Sequence, residues 1–193
     1  MRKILLLLSN GFEALEASAF TDVFGWNKVM GDKKIELITS SLSPTIKSTW
    51  NFTVTTELPL KKVKVSEFQA LVIPGGFGSA GFFTDTKDEL FLSIIREFHE
   101  GKKIIVGVCT GVIPLAESGI LKGKYATTYL MDNDRYFMQL EKNGAIPVRK
   151  KIVRCDNLIT SSAPGSAVET ALLLLESLTD KDNSDNIKKN MGF

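Results

Sequence analysis

The chain has 193 residues, 44% of them hydrophobic and 24% charged, with 24 basic against 22 acidic side chains. That length and balance fit one globular domain with a single substantial core and exclude a disordered or membrane-embedded chain. A formal net charge of +2 sets up no strong field for nucleic acid or an anionic membrane, so neither is an expected partner.

Residues 3–8, KILLLL, predict a strand buried on both faces. The apolar run at 4–8 is too short for a secretory signal, has no small-residue cleavage site after it, and falls far short of the ~20 residues of a membrane span. With no export signal, and with Cys109 and Cys155 the only cysteines, a cytoplasmic protein with reduced thiols is expected. Residues 14–30 predict a helix, 35–39 a strand and 43–57 a small hairpin or an edge strand pair. Phe12, Phe20, Phe24 and Trp26 cluster around that first helix, as core packing or as a face for a second copy. ALVIPGG at 70–76 is a strand running into a glycine turn. A helix capped by Asp85 or Thr86 follows, reaches His99 and ends at Gly101.

KIIVGV at 103–108 predicts another buried strand, and 112–118 a short helix. ATTY at 126–129 reads as a strand and 132–143 as a helix. Strands at 151–155 and 158–160 flank an Asp-Asn turn, and Ser166-Ala-Val-Glu169 has the form of a capping box opening a helix to about Leu178. One domain thus spans 1–180, and the polar tail at 181–193 is expected to fray, with Met191 and Phe193 able to dock. The lysine-rich stretches Lys61, Lys62, Lys64 and Arg149, Lys150, Lys151 read as solvated rims.

Strands alternating with helices imply an α/β fold, a mostly parallel sheet with helices on both faces. Ligands of such sheets sit beyond the carboxyl ends of the strands, at a switch point. Asn10-Gly11, Pro74-Gly75-Gly76 and Cys109-Thr110-Gly111 all fall at such ends.

Gly107-Val-Cys109-Thr-Gly111, between a buried strand and a short helix, has the form of a nucleophile elbow. A cysteine there lies at a helix N-terminus, where partial positive charge favours the thiolate and a lowered thiol pKa is expected. The hexapeptide alone leaves a buried structural cysteine equally open. Glu13 and Glu16 lie one turn apart at the start of the first helix; they either face water or point one carboxyl at the cysteine, where it would stay protonated and donate to sulfur. Gly75 and Gly76 belong to a mobile loop or offer backbone N–H groups to an oxyanion. The sequence GGFGSAG lacks dinucleotide-fingerprint spacing, and no C-x-x-C pair accompanies the single histidine, His99, so no cofactor and no metal are expected.

Together LSNGFEALEA, ALVIPGGFG, IIVGVCTG and ITSSAPGSAVETAL resemble, in order, the landmark segments of the ThiJ/PfpI superfamily, over residues 3 to about 178. The resemblance implies a flavodoxin-like three-layer sandwich of the class I glutamine amidotransferase-like type and a homodimer with its site near the interface. It makes Cys109 the reactive cysteine, Glu16 the carboxyl bonded to it, and Gly75 and Gly76 the backbone donors.

Departures from the family pattern narrow the function. Where proteolytic members carry histidine directly after the cysteine, this chain has Thr110; where others carry one in the ATTY segment, it has Tyr129, and Ser162 replaces a frequent arginine. Protease and glutaminase chemistry, which need histidine to shuttle protons, are disfavoured. The expected activity is a slow, cysteine-dependent glyoxalase or deglycase type of reaction on small carbonyl compounds, with Cys109, Glu16, Gly75, Gly76 and Thr110 at the site. The alternative is a stress sensor in which an oxidant converts Cys109 to a sulfinate held by Glu16. A minority reading follows from the similarity of GVCTG to the isonitrile hydratase branch, although the acid there is usually aspartate.

Overall fold

The apolar runs lie side by side as one sheet in the computed structural model, which describes residues 2–31 and 33–193. In chain order the first elements are β1 (Arg2–Leu7), α1 (Ala14–Met30), β2 (Ile35–Ser41), β3 (Thr45–Lys47), β4 (Thr53–Thr55), β5 (Leu58–Pro59) and β6 (Ala70–Ile73). Then come α2 (Phe82–Asp85), α3 (Glu89–Glu100), β7 (Ile104–Val108), α4 (Val112–Glu117), β8 (Tyr125–Ala126) and α5 (Arg135–Lys142). The chain finishes with β9 (Ile146–Pro147), β10 (Ile152–Cys155), β11 (Leu158–Ser161), α6 (Ala167–Leu178) and α7 (Lys181–Asn190).

Seven strands form the main sheet in the order β10-β11-β7-β6-β1-β2-β5. All neighbours are parallel except β10, which returns antiparallel on β11. β3 and β4 form the expected hairpin, and β8 pairs with β9 in a separate small sheet. The central strands are buried on both faces, which is why they read as unbroken apolar runs. Ile4, Leu6, Val72 and Val106 pack with Phe20, Phe24 and Leu175 from α1 and α6. Leu5, Leu7, Leu71 and Ile105 point the other way, into Phe91, Phe98, Leu115 and Leu140 from α3, α4 and α5. The expected α/β sandwich with helices on both faces is the observed architecture. Between β1 and β6 the strand order reverses, opening the crevice where the candidate site lies.

Several local expectations are corrected. α3 is capped by Asp88, whose carboxylate accepts from Leu90 N–H at 2.8 Å. Asp85 instead accepts from the backbone N–H of Asn10 at 2.8 Å, tying α2 to the turn after β1. Ser166 does not form the capping box: its hydroxyl donates to the Ala163 carbonyl at 2.6 Å, while Glu169 pairs with Lys151. The ATTY strand shortens to Tyr125–Ala126 because the hydroxyl of Thr160 binds Thr127 N–H, and that of Thr128 is drawn to the carbonyl of Cys109. Phe12, Phe20 and Phe24 are core residues, leaving only Trp26 of that group exposed.

The tail does not fray. It forms α7, capped by Asp180, and packs on α1 and α6. Ile187 is fully buried, Ser184 donates to the Leu172 carbonyl at 2.9 Å, and Asn183 donates to Asn27 Oδ1 in α1 at 2.8 Å. Polar residues read as tail-like because these contacts are hydrogen bonds to another helix, invisible to hydrophobic periodicity. Among the described residues no helix is long and apolar enough to cross a membrane. Replacing Ile187 with Ala is expected to cost about 2–5 kcal/mol in urea unfolding, as for a buried core methylene cluster; a frayed tail would leave the midpoint unmoved.

Candidate active site

Cys109 occupies the turn between β7 and α4 with φ of +55°, the left-handed region that a side chain enters only under constraint. The constraint is close packing on either side. A Cβ on Gly111 would lie 2.4 Å from the Ile73 carbonyl oxygen, and one on Gly107 would lie 2.8 Å from Leu115 Cδ1. Strand and helix therefore meet at their van der Waals limit, and the chain between them can only turn through Cys109. Thr128 fixes the turn from outside by donating its hydroxyl to the Cys109 carbonyl at 2.8 Å. This is the elbow that the G-x-C-x-G spacing predicts.

Glu16 approaches from the first turn of α1. It belongs to the buried stripe of that helix, with Phe20, Val23 and Asn27, and is fully inaccessible. Its Oε2 accepts from Gly75 N–H at 2.5 Å, while Oε1 is buried without a well-directed partner. Burial raises the Glu16 carboxyl to about 8; the Gly75 N–H and the neighbouring Cys109 side chain work against that rise. At neutral pH the carboxyl holds its proton, as the reading of a carboxyl beside sulfur requires. Glu13 keeps a small exposed edge in the cleft and ties α1 to the β6 turn through its backbone N–H, 2.7 Å from the Gly75 carbonyl.

The thiol departs from expectation. Burial pushes Cys109 up, and an ionised Glu16 pushes it further; the backbone N–H of Thr110 acts in the opposite direction. The lowered thiol pKa predicted from the helix N-terminus is thereby corrected: α4 has six residues, and desolvation outweighs so short a dipole. Glu16 therefore gives up its proton first, near 8, and its charge then opposes ionisation of the thiol beside it.

Gly75 and Gly76 are where the spacing places them, but their N–H groups are already engaged. Gly75 donates to Glu16, and Gly76 donates to Thr110 Oγ1 at 2.8 Å. The same Thr110 hydroxyl donates back to the Gly76 carbonyl at 2.8 Å, clipping the β6 turn to the elbow. A Cβ on Gly75 would sit 2.7 Å from that hydroxyl, so glycine is needed here for contact with Thr110 rather than for access to a substrate. Both N–H groups expected to face an oxyanion are thus engaged within the protein. His99 lies at the far end of α3, before the chain enters β7, at the opposite end of the sheet from the cysteine.

Cys109, 8% exposed, opens into a cleft of about 790 Å³. Trp50 and Phe77, with ring centroids 5.5 Å apart, stand at its wall; Tyr129, Arg135 and Tyr136 line another side. Sequence reasoning missed Arg135 and Tyr136. Tyr136 and Leu140 are spaced i, i+4 on α5 and read as ordinary core, and no local pattern shows that the tyrosine borders a cleft.

A strained, buried cysteine paired with a protonated glutamate at the switch point of a parallel sheet defines an α/β protein of the elbow-cysteine class. The chain belongs to the DJ-1/PfpI family, whose family model matches residues 2–177. It is 26% identical over 190 residues to protein dj-1beta of Drosophila melanogaster, covering 98% of this chain and 96% of that protein. The crystal structure of that fly protein superposes with a TM-score of 0.85, covering 98% of this chain and 97% of the other. The chain is also 25% identical over 200 residues to the glutathione-independent glyoxalase DJ-1 of Schizosaccharomyces pombe, covering all of both. Isonitrile hydratase of Pseudomonas putida is 29% identical over 166 residues, 84% of this chain and 67% of that protein.

A buried proton on Glu16 has a stability signature. The carboxyl is raised in the folded state, so its contribution is full below its unfolded value near 4.5 and is lost as pH rises through about 8. Between those limits the loss runs at about 1.4 kcal/mol per pH unit. Glu16→Gln keeps a neutral acceptor for Gly75 and is expected to gain stability relative to wild type as pH climbs from 4.5 to 8. Parallel urea stabilities across that range would show instead that the proton is not held.

Proposed function

We propose that the protein is a cysteine-dependent enzyme acting on small carbonyl compounds, of the glyoxalase or deglycase type. The observation that carries this reading is the left-handed Cys109 turn facing a fully buried Glu16, a nucleophile and a proton carrier in one enclosed unit. The similarity to a relative named as a glutathione-independent glyoxalase supports it.

In a 2-oxoaldehyde such as methylglyoxal, the Cys109 sulfur bonds to the aldehyde carbon and the carbonyl electron pair becomes a hydroxyl, giving a hemithioacetal. Glu16 carries the proton from that carbon to the adjacent carbonyl carbon through an enediol, leaving a thioester. Water then releases the 2-hydroxy acid and returns the thiol. The redox change is internal to the substrate, so no cofactor enters the balance. Glu16 takes the place of histidine as the proton carrier.

The competent form is the pair after loss of one proton, about a tenth of molecules at pH 7 for a group titrating near 8, which makes turnover slow at neutrality. Lactate release from methylglyoxal should vanish in Cys109→Ser. In the wild type kcat/KM should climb about tenfold per pH unit up to about 8 and level above it. Equal rates in the serine variant would remove Cys109 from the reaction, and a flat pH profile would remove Glu16.

A second reading is favoured by Glu16 Oε1, buried and without a well-directed partner beside the sulfur. A protonated carboxyl there would donate to an oxygen of a Cys109 sulfinate and hold the cysteine at that oxidation level. Mild peroxide should add two oxygens to Cys109 in the wild type, whereas Glu16→Ala should proceed to the three-oxygen product. Intact mass and peptide mapping read both; no two-oxygen adduct on Cys109 would exclude the sensor.

A further inference from the structure

The site as built has a shortage of donors. A carbonyl under attack at Cys109 develops negative charge on its oxygen, which needs a preorganised hydrogen bond. Two nearby backbone donors are taken, Gly75 N–H by Glu16 and Gly76 N–H by Thr110, which leaves the elbow's own Thr110 N–H beside the sulfur. Thr110's own hydroxyl proton goes to the Gly76 carbonyl. A second donor to that oxygen cannot be either glycine N–H and has to reach it from another wall of the cleft.

We propose that the Tyr136 hydroxyl is that donor, a catalytic residue that binds the substrate's carbonyl oxygen as sulfur adds to the carbon. Tyr136 is 8% exposed and borders the same cleft as Cys109. Its ring is held on two sides, stacked on Phe83 at 6.0 Å between centroids with an interplanar angle of 26°, and edge-on to Tyr129 at 6.4 Å. Packing of this kind fixes the hydroxyl in place before substrate arrives. Among the described residues it makes no hydrogen bond, so its proton is available. The Arg135 guanidinium lies 5.2 Å from the ring centroid, where its positive charge strengthens the hydroxyl as a donor.

Burial raises the Tyr136 hydroxyl above its ordinary value, Arg135 partly offsets this, and Cys109 is close enough to contribute to the rise. The group is therefore a phenol and not a phenolate at working pH, a donor and not a base. During addition the S–C bond forms, the carbonyl π pair moves to oxygen, and the thiol proton reaches that oxygen through Glu16. Tyr136 donates its hydrogen bond throughout and keeps its own proton.

This inference rests on the carbonyl-enzyme reading, and the experiment separates the two. Tyr136→Phe keeps the ring and its packing, and Tyr125→Phe, at an exposed tyrosine outside the cleft lining, serves as the comparison. Methylglyoxal turnover and Cys109 alkylation by iodoacetamide are measured on each; the alkylation generates no oxyanion. Tyr136→Phe should lower kcat/KM for methylglyoxal by about 10²-fold, as for loss of one oxyanion donor, with alkylation and melting temperature unchanged. Tyr125→Phe should match the wild type in both assays. Unchanged turnover in Tyr136→Phe, a parallel loss of alkylation, or an equal loss in Tyr125→Phe overturns the assignment while leaving the carbonyl enzyme standing. A wild type that releases no lactate brings down both.

Discussion

The hydrogen bond from Gly75 N–H to the Glu16 carboxyl, 2.5 Å long and closed to water, is the join on which the rest of the site is assembled. It fastens the first turn of α1 to the loop after β6, across the strand pair where the sheet changes direction. The β6 loop is in turn clipped to the cysteine elbow by Thr110. Three strand ends, at Leu7, Ile73 and Val108, thereby become one rigid unit. Burying the carboxyl raises its affinity for a proton, and the same burial disfavours the thiolate next to it. Structure and chemistry are thus set by one act of desolvation.

The architecture was open to reading because the relevant forces act locally. Unbroken runs such as Ile4–Leu8 and Ile104–Val108 can only be strands with both faces covered, and α1 follows from a buried stripe at helical spacing. The elbow was legible for a related reason: Gly107 and Gly111 announce a close approach on either side of Cys109. Less visible was anything decided by long-range polar contact. Asp88 took the cap expected of Asp85 because Asp85 was recruited by Asn10, and Ser166 and Glu169 each found a different partner. The glycine N–H groups looked free in sequence because nothing in VIPGG shows that Glu16 and Thr110 will reach them first.

Cys109 illustrates how burial and helix polarity compete. A single turn of 3-10 helix followed by six α-helical residues offers little dipole, whereas the surrounding side chains remove nearly all solvent. A thiol in such a place keeps its proton, and the carboxyl beside it gives up its own first. The cleft outside it is lined by residues of α5 and by Trp50 from the turn between β3 and β4.

The clasp between Asn27 and Asn183 has a mechanical meaning. α1 is a rod of 17 residues with Glu16 at one end and Asn27 close to the other, roughly 16 Å away at the rise of an α-helix. α7 pins the distal end while Gly75 pins the proximal one. A rod held at both ends cannot tilt, and a small swing at the C-terminal helix would arrive at the carboxyl as a displacement of comparable size. α7 is the back-stop against which the Glu16 carboxyl is held.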